Sequence, residues 1–147
     1  MGIAESRLES FELFEGLDRQ ELSFIAANCE EMQIRSGETL IQEGQVGKDV
    51  YFLEKGTVCV FRGRDASSQN RVVLDGPAIL GEMAMTDPSH IRTLNVVAES
   101  DLRLLSIPIS AFLVFVRSCP RLKDRLRQLM ADRKAQFEAK KSCPVAA

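Results

Sequence analysis

Gly81-Glu82-Met83-Ala84-Met85-Thr86-Asp87-Pro88-Ser89-His90-Ile91-Arg92-Thr93-Leu94-Asn95-Val96-Val97 sets a glycine and a carboxylate before a turn, then an arginine and a threonine at the entry to an apolar strand. Glycine lets a backbone approach another group closely, and a short helical turn through Met83, Ala84 and Met85 offers N–H donors. One carboxylate, one guanidinium and a set of N–H groups in so short a span suit a small molecule that carries both an anion and a hydroxyl.

Outward from this segment the chain divides into three zones. From Met32 to Ile107 the apolar residues come in short runs, such as Val50 to Leu53, Val58 to Phe61, Leu94 to Val97 and Leu102 to Ile107. Turn pairs separate them, among them Ser36-Gly37, Glu43-Gly44, Lys55-Gly56 and Arg62-Gly63. This spacing predicts a mainly β domain, an antiparallel jelly-roll barrel over about 32–107. On the amino-terminal side, Leu8, Phe11, Phe14, Leu17, Leu22, Phe24, Ile25 and Ala26 predict two short helices around a turn. Asp18 is the expected N-cap of the second, with Glu21 three residues on. Phe11, Phe14 and Phe24 are expected in the core.

On the carboxy-terminal side, Ser110 is expected to cap a short helix to about Val116, and Pro120 to open a longer one to about Lys141, with 142–147 as a tail. Leu122, Leu126, Leu129, Met130 and Phe137 form the apolar stripe of the long helix. Two readings stand: a solvated helix lying on the barrel, or a lid or dimer seam whose heptad spacing Arg133 interrupts.

Composition narrows the function. The 147 residues are 45% hydrophobic and 27% charged, which fits one domain spanning about 6–141. The formal net charge of -2 argues against a dedicated nucleic-acid binder, although Pro120 to Lys141 holds eight Lys and Arg against three acids. Cys29, Cys59, Cys119 and Cys143 contain no CxxC pair and His90 is the sole histidine, so no metal site and reduced thiols are expected. The chain shows no long apolar run and no leader, which predicts a cytoplasmic protein without a membrane segment. Met1 to Ser6 fits a loose myristoylation pattern, read as chance. Without GxSxG, HExxH or GxxxxGK[ST], no enzyme is expected.

The order of these pieces resembles the cyclic-nucleotide-binding domain family, the sensor domain of catabolite-activator and protein-kinase-A regulatory-subunit type. The resemblance runs from about Phe11 to Leu129. It includes Leu13-Phe14-Glu15-Gly16-Leu17, Gly37-Glu38-Thr39-Leu40-Ile41-Gln42-Glu43-Gly44 and Val50-Tyr51-Phe52-Leu53-Glu54-Lys55-Gly56-Thr57-Val58. The segment quoted first looks like that family's phosphate-binding cassette. The resemblance implies a ligand, cAMP or, less favoured, cGMP, and no other cofactor. It implies that Glu82 accepts from the ribose 2′-hydroxyl, that Arg92 pairs the phosphate, that Thr93 adds a hydroxyl, and that Gly81, Met83 and Ala84 supply backbone.

Singly, each residue has a plainer reading. Glu82 at a helix start would favour the dipole by about 0.3–1 kcal/mol, Arg92 would pair with Asp87, and His90 would be an exposed loop residue. The chain departs from the family at Pro77 and Ala78, where many members carry glycine and aspartate, and at Ile91, where many carry proline. The preferred reading is a cyclic-nucleotide sensor that relays binding through its last helix to a protein effector or a second copy. The alternatives are an interaction module of the same fold without ligand, or a dimeric regulator lacking its DNA-reading half; with six residues after Lys141, DNA binding by this chain alone is not expected. In the relay reading, the Leu122 to Met130 stripe is partly exposed or paired without ligand and closes over the base with it.

Overall fold

The computed structural model describes residues 3–63, 71–86 and 88–142, and for residues 86 and 136–142 the backbone only. Eight strands form two four-stranded antiparallel sheets: β1 (Glu30–Ile34), β2 (Thr39–Ile41), β3 (Asp49–Lys55), β4 (Thr57–Phe61), β5 (Val72–Asp75), β6 (Ala78–Leu80), β7 (Asn95–Ala98) and β8 (Leu102–Pro108). One sheet has the order β1-β8-β3-β6 and the other β2-β7-β4-β5. The expected jelly-roll architecture is the observed one.

Side-chain alternation in β3 and β8 builds two cores from one sheet. Tyr51 and Leu53 of β3, with Leu102 and Leu104 of β8, point between the sheets and meet Ile41, Val58, Val60, Leu80 and Val96. Val50 and Phe52, with Leu105 and Ile107, point the other way, onto the helices. A strand covered on both faces reads as a continuous apolar run, which is why Val50 to Leu53 is unbroken by polar residues. Phe52 sits at the centre of the helix-side core, its ring centroid 5.7 Å from Phe11, 5.1 Å from Phe14 and 5.6 Å from Phe112. Phe24 departs from its expected place in the core: it is 41% exposed and stacks on Phe115.

The amino-terminal segment contains one α-helix rather than two. Glu5–Leu8 and Glu12–Phe14 are single 3₁₀ turns, and α1 covers Arg19–Ala27. A run of three or four residues closes i→i+3 bonds without room for an α-helical ladder. The expected capping box is present: Asp18 Oδ1 accepts from the Glu21 N–H at 2.8 Å, and Glu21 Oε1 accepts from the Asp18 N–H at 2.9 Å.

Helix α2 (Ile109–Ser118) is capped by Pro108, and Ser110 lies inside it rather than at its N-cap. The strand β8 runs to Pro108, so its fixed φ starts the helix directly from the strand end. The long helix α3 covers Pro120–Ser142. Its stripe is not exposed: Leu122 is fully buried and Leu126 nearly so, in one cluster with Phe14, Phe52 and Phe112, and Leu129 and Met130 pack against it. The stripe is therefore core, because Phe52 and its neighbours on the outer face of β3 leave an apolar surface that α2 and α3 cover together with the amino-terminal segment. Phe137 lies among the residues whose side chains are not described.

Cys29, Cys59 and Cys119 are buried, and desolvation pushes the Cys29 thiol up to about 12. Cys143 lies outside the described residues. Among the described residues no helix is long and apolar enough to cross a membrane, and no cluster of His, Cys, Asp and Glu is placed to hold a metal.

Candidate functional site

Gly81 follows β6 with φ +83°, and this left-handed conformation reverses the chain into a 3₁₀ turn over Glu82–Thr86. The turn is held from the far side by His90, whose Nδ1 lies 2.9 Å from the Ala84 carbonyl oxygen. His90 thus differs from the exposed loop residue expected: it is half-buried, with φ 55°, and braces the turn. Asp87 lies outside the described residues.

Arg92 is positioned by backbone pairing before its side chain makes any contact. Its N–H donates to the Gln45 carbonyl at 2.8 Å, its carbonyl accepts from Gly44 at 2.9 Å, and the His90 carbonyl accepts from Gly47 at 2.7 Å. These bonds zip residues 44–47 to residues 90–92. The guanidinium then runs over Gly47, where an added Cβ would stand 2.4 Å from Arg92 Cζ. Beyond Gly47, Nη1 donates to the Gly81 carbonyl at 3.1 Å and Nη2 to the Asp49 carbonyl at 2.7 Å, and Cζ lies 5.9 Å from the Tyr51 ring centroid. Arg92 is only 6% exposed. Desolvation lowers its pKa, against the opposing fields of Tyr51, Asp49 and Glu82. Among the described residues it forms no ion pair.

Glu82 is buried at 2% exposure and does have an ionic partner. Arg133 of α3 places Nη1 2.6 Å from Glu82 Oε1 and also donates to the Ile79 carbonyl. Glu82 and Arg92 line one cavity of about 220 Å³, together with Gly81, Met83, Ala84 and Thr93. All six residues singled out from the sequence thus come together. The wall between the sheets is apolar, from Ile41, Val60, Val72, Leu74, Leu80, Leu94 and Val96; Arg62, Arg133 and Lys134 complete the lining.

Several of these groups escape a reading of the sequence. Gly47 is one glycine among many loop residues, and only the path of the guanidinium explains it. The backbone carbonyl of Asp49 has no sequence signature. Arg133 does leave a trace: it is the cation that takes the place of an apolar residue one heptad after Leu126. The end of α3 that reaches the cavity is therefore Arg133 and Lys134, not the leucine stripe.

The cavity joins an apolar wall to one buried carboxylate and one buried guanidinium, a combination suited to a flat apolar group bearing a hydroxyl and an anion. The family model described as cyclic nucleotide-binding domain matches residues 31–119. The chain is 27% identical over 122 residues to the cyclic AMP receptor protein of Thermus thermophilus, covering 82% of this chain and 56% of that protein. It thus spans about half the length of that relative. Two solved structures share the fold: a cyclic nucleotide-binding protein from Geobacter metallireducens, with TM-score 0.72 at 21% identity over 88% of this chain and 94% of that one, and the sensor domain of the transcriptional regulator DNR from Pseudomonas aeruginosa, with TM-score 0.74 at 18% identity over 97% and 95%. With more than half of its length matched by the family model, the chain belongs to the cyclic nucleotide-binding domain family.

Proposed function

We propose that this chain is a cAMP sensor domain that takes cGMP more weakly, with Arg92 pairing the cyclic phosphodiester and Glu82 accepting from the ribose 2′-hydroxyl. Gly81, Met83 and Ala84 bring the backbone of the 3₁₀ turn to the phosphate, Thr93 adds a hydroxyl beside it, and the apolar wall receives the base. The observation that carries this reading is Arg92: a guanidinium 6% exposed, on the wall of an apolar cavity, held by two backbone carbonyls and without an ion pair among the described residues. A buried cation with neutral acceptors alone has lost most of its hydration without recovering it, and an anion in the cavity restores the balance. The bound state is relayed through α3 to a protein effector or a second copy of the chain.

Calorimetric titration with cAMP and cGMP tests the reading. Micromolar or tighter binding is expected, on the order of 8 kcal/mol, with cAMP ahead of cGMP. Absence of binding to either nucleotide by the folded protein would leave an interaction module of the same fold as the better account.

A further inference from the structure

The apolar wall of the cavity ends on a cation. In β4, Val58 and Val60 point between the sheets, and Arg62, two residues further on the same face, lines the cavity beside Val60 and its cross-strand partner Val72. The side chain of Arg62 is exposed, but its backbone is pinned on both sides. Before it, Phe61 is buried and pairs with Asn95 of β7. After it, the Gly63 N–H donates to Glu43 Oε1 at 2.8 Å and the Gly63 carbonyl accepts from Asn95 Nδ2 at 2.8 Å, while Asn95 Oδ1 accepts from the Glu43 N–H at 2.9 Å. Asn95 is itself buried, so this clamp is part of the barrel. Among the described residues Arg62 forms no ion pair.

On the proposed reading of this cavity as a cyclic-nucleotide site, we infer that Arg62 is a specificity-determining residue for the base. It donates to the N7 edge of a purine, singly to N7 of adenine and as a fork to N7 and O6 of guanine, and is the group that admits cGMP. The lining leaves few alternatives. Glu82 is its one carboxylate among the described residues, and it lies at the 3₁₀ turn, away from Val60 and Val72. Arg92 is held by the carbonyls of Gly81 and Asp49, Arg133 is taken up by Glu82 and the Ile79 carbonyl, and Lys134 carries a single ammonium. Arg62 is thus the guanidinium whose fork is open to the base. A guanidinium has donors only, so it selects the edge of the base that presents acceptors. Guanine sets two acceptors, N7 and O6, side by side on that edge, whereas adenine sets N7 beside an amino donor that meets the second N–H donor to donor. An apolar wall makes no such distinction. Arg62 therefore narrows the advantage of cAMP over cGMP, and a planar fork does so where a lysine would not.

The test titrates cAMP, cGMP and the 7-deaza analogue of each, by calorimetry, into wild type, Arg62→Ala and Arg62→Gln. The substitution replaces an exposed side chain, and the thermal transition of each variant verifies its fold. In Arg62→Ala, affinity for cGMP should fall by about tenfold and for cAMP by about threefold or less. Loss of N7 should weaken cGMP in wild type and make no further difference in Arg62→Ala. Arg62→Gln should restore cAMP and leave cGMP weak, since a carboxamide pairs N7 and the amino group of adenine. Equal weakening of cAMP and cGMP by Arg62→Ala, a 7-deaza penalty that survives in it, or a wild type that binds cAMP and not cGMP, overturns the inference and leaves the cyclic-nucleotide reading in place. A wild type that binds neither nucleotide removes that reading, and this inference with it.

Discussion

Arg92 and Glu82 line the same cavity and are held by different parts of the molecule. Arg92 rests on the barrel alone: residues 44–47 pair with its backbone, Gly47 makes room for its side chain, and the carbonyls of Gly81 and Asp49 receive its N–H groups. Glu82 is secured by Arg133, from a helix near the other end of the chain. One end of the cavity is therefore preorganised by sheet hydrogen bonds, and the other by the docking of a helix. A sheet ladder opens only with the fold, whereas a helix packed by a few leucines can shift separately. A change at the helix would thus reach Glu82 before it reaches Arg92.

Substitutions can break this contrast on either side. Arg92→Ala should have the largest effect, a loss of roughly 3–5 kcal/mol in cAMP binding, well over a hundredfold, because the phosphate is then buried without its counter-charge. Calorimetry on the folded variant checks it, and affinity near that of wild type would move the phosphate elsewhere. Leu122→Ala acts on the helix. With Leu122 fully buried, the deletion should cost roughly 3 kcal/mol of stability in urea unfolding; a cost under about 1 kcal/mol would mean that α3 is not anchored there.

Smaller effects sharpen the comparison. Gly47→Ala sets a Cβ 2.4 Å from Arg92 Cζ and 2.5 Å from Nε, so the guanidinium must move. Affinity for cAMP should fall by about tenfold, and for 2′-deoxy-cAMP by the same factor, since only the barrel-held end is disturbed. Unequal losses would show that the two ends are coupled through Arg92. Lys134→Ala should matter least, by about threefold or less at low salt and not at all at high salt, because this exposed cation acts through solvent. A salt-independent loss measured by titration at two ionic strengths would place Lys134 in direct contact with the ligand.

Much of this was legible in residues 81–97 and in the turn glycines. The alternation of short apolar runs with glycine turns predicts strands, and Asp18 with Glu21 predicts a helix start, because each of these signals arises from contacts a few residues apart. That Glu82 and Arg92 line one cavity was likewise readable, since they lie on one short stretch of chain. The stripe of α3 was harder. Apolar residues at heptad spacing say that a helix face will be covered, and the spacing is the same for a lid, a dimer seam or a core.

What covers that face is decided by Phe52, Phe112 and Phe14, which come from three separate elements and form one apolar surface only after the sheets close. The same closure brings Gly47 under Arg92 and Arg133 onto Glu82, contacts spanning 45 and 51 residues of chain. The sequence by itself determined the strands, the turns, the cap of α1 and the pair of charges that marks the cavity, because local sterics and side-chain chemistry suffice for these. The tertiary structure alone decided which groups hold those charges in place, because a contact between distant segments depends on how both pack against the rest of the molecule, and neither segment carries that information alone.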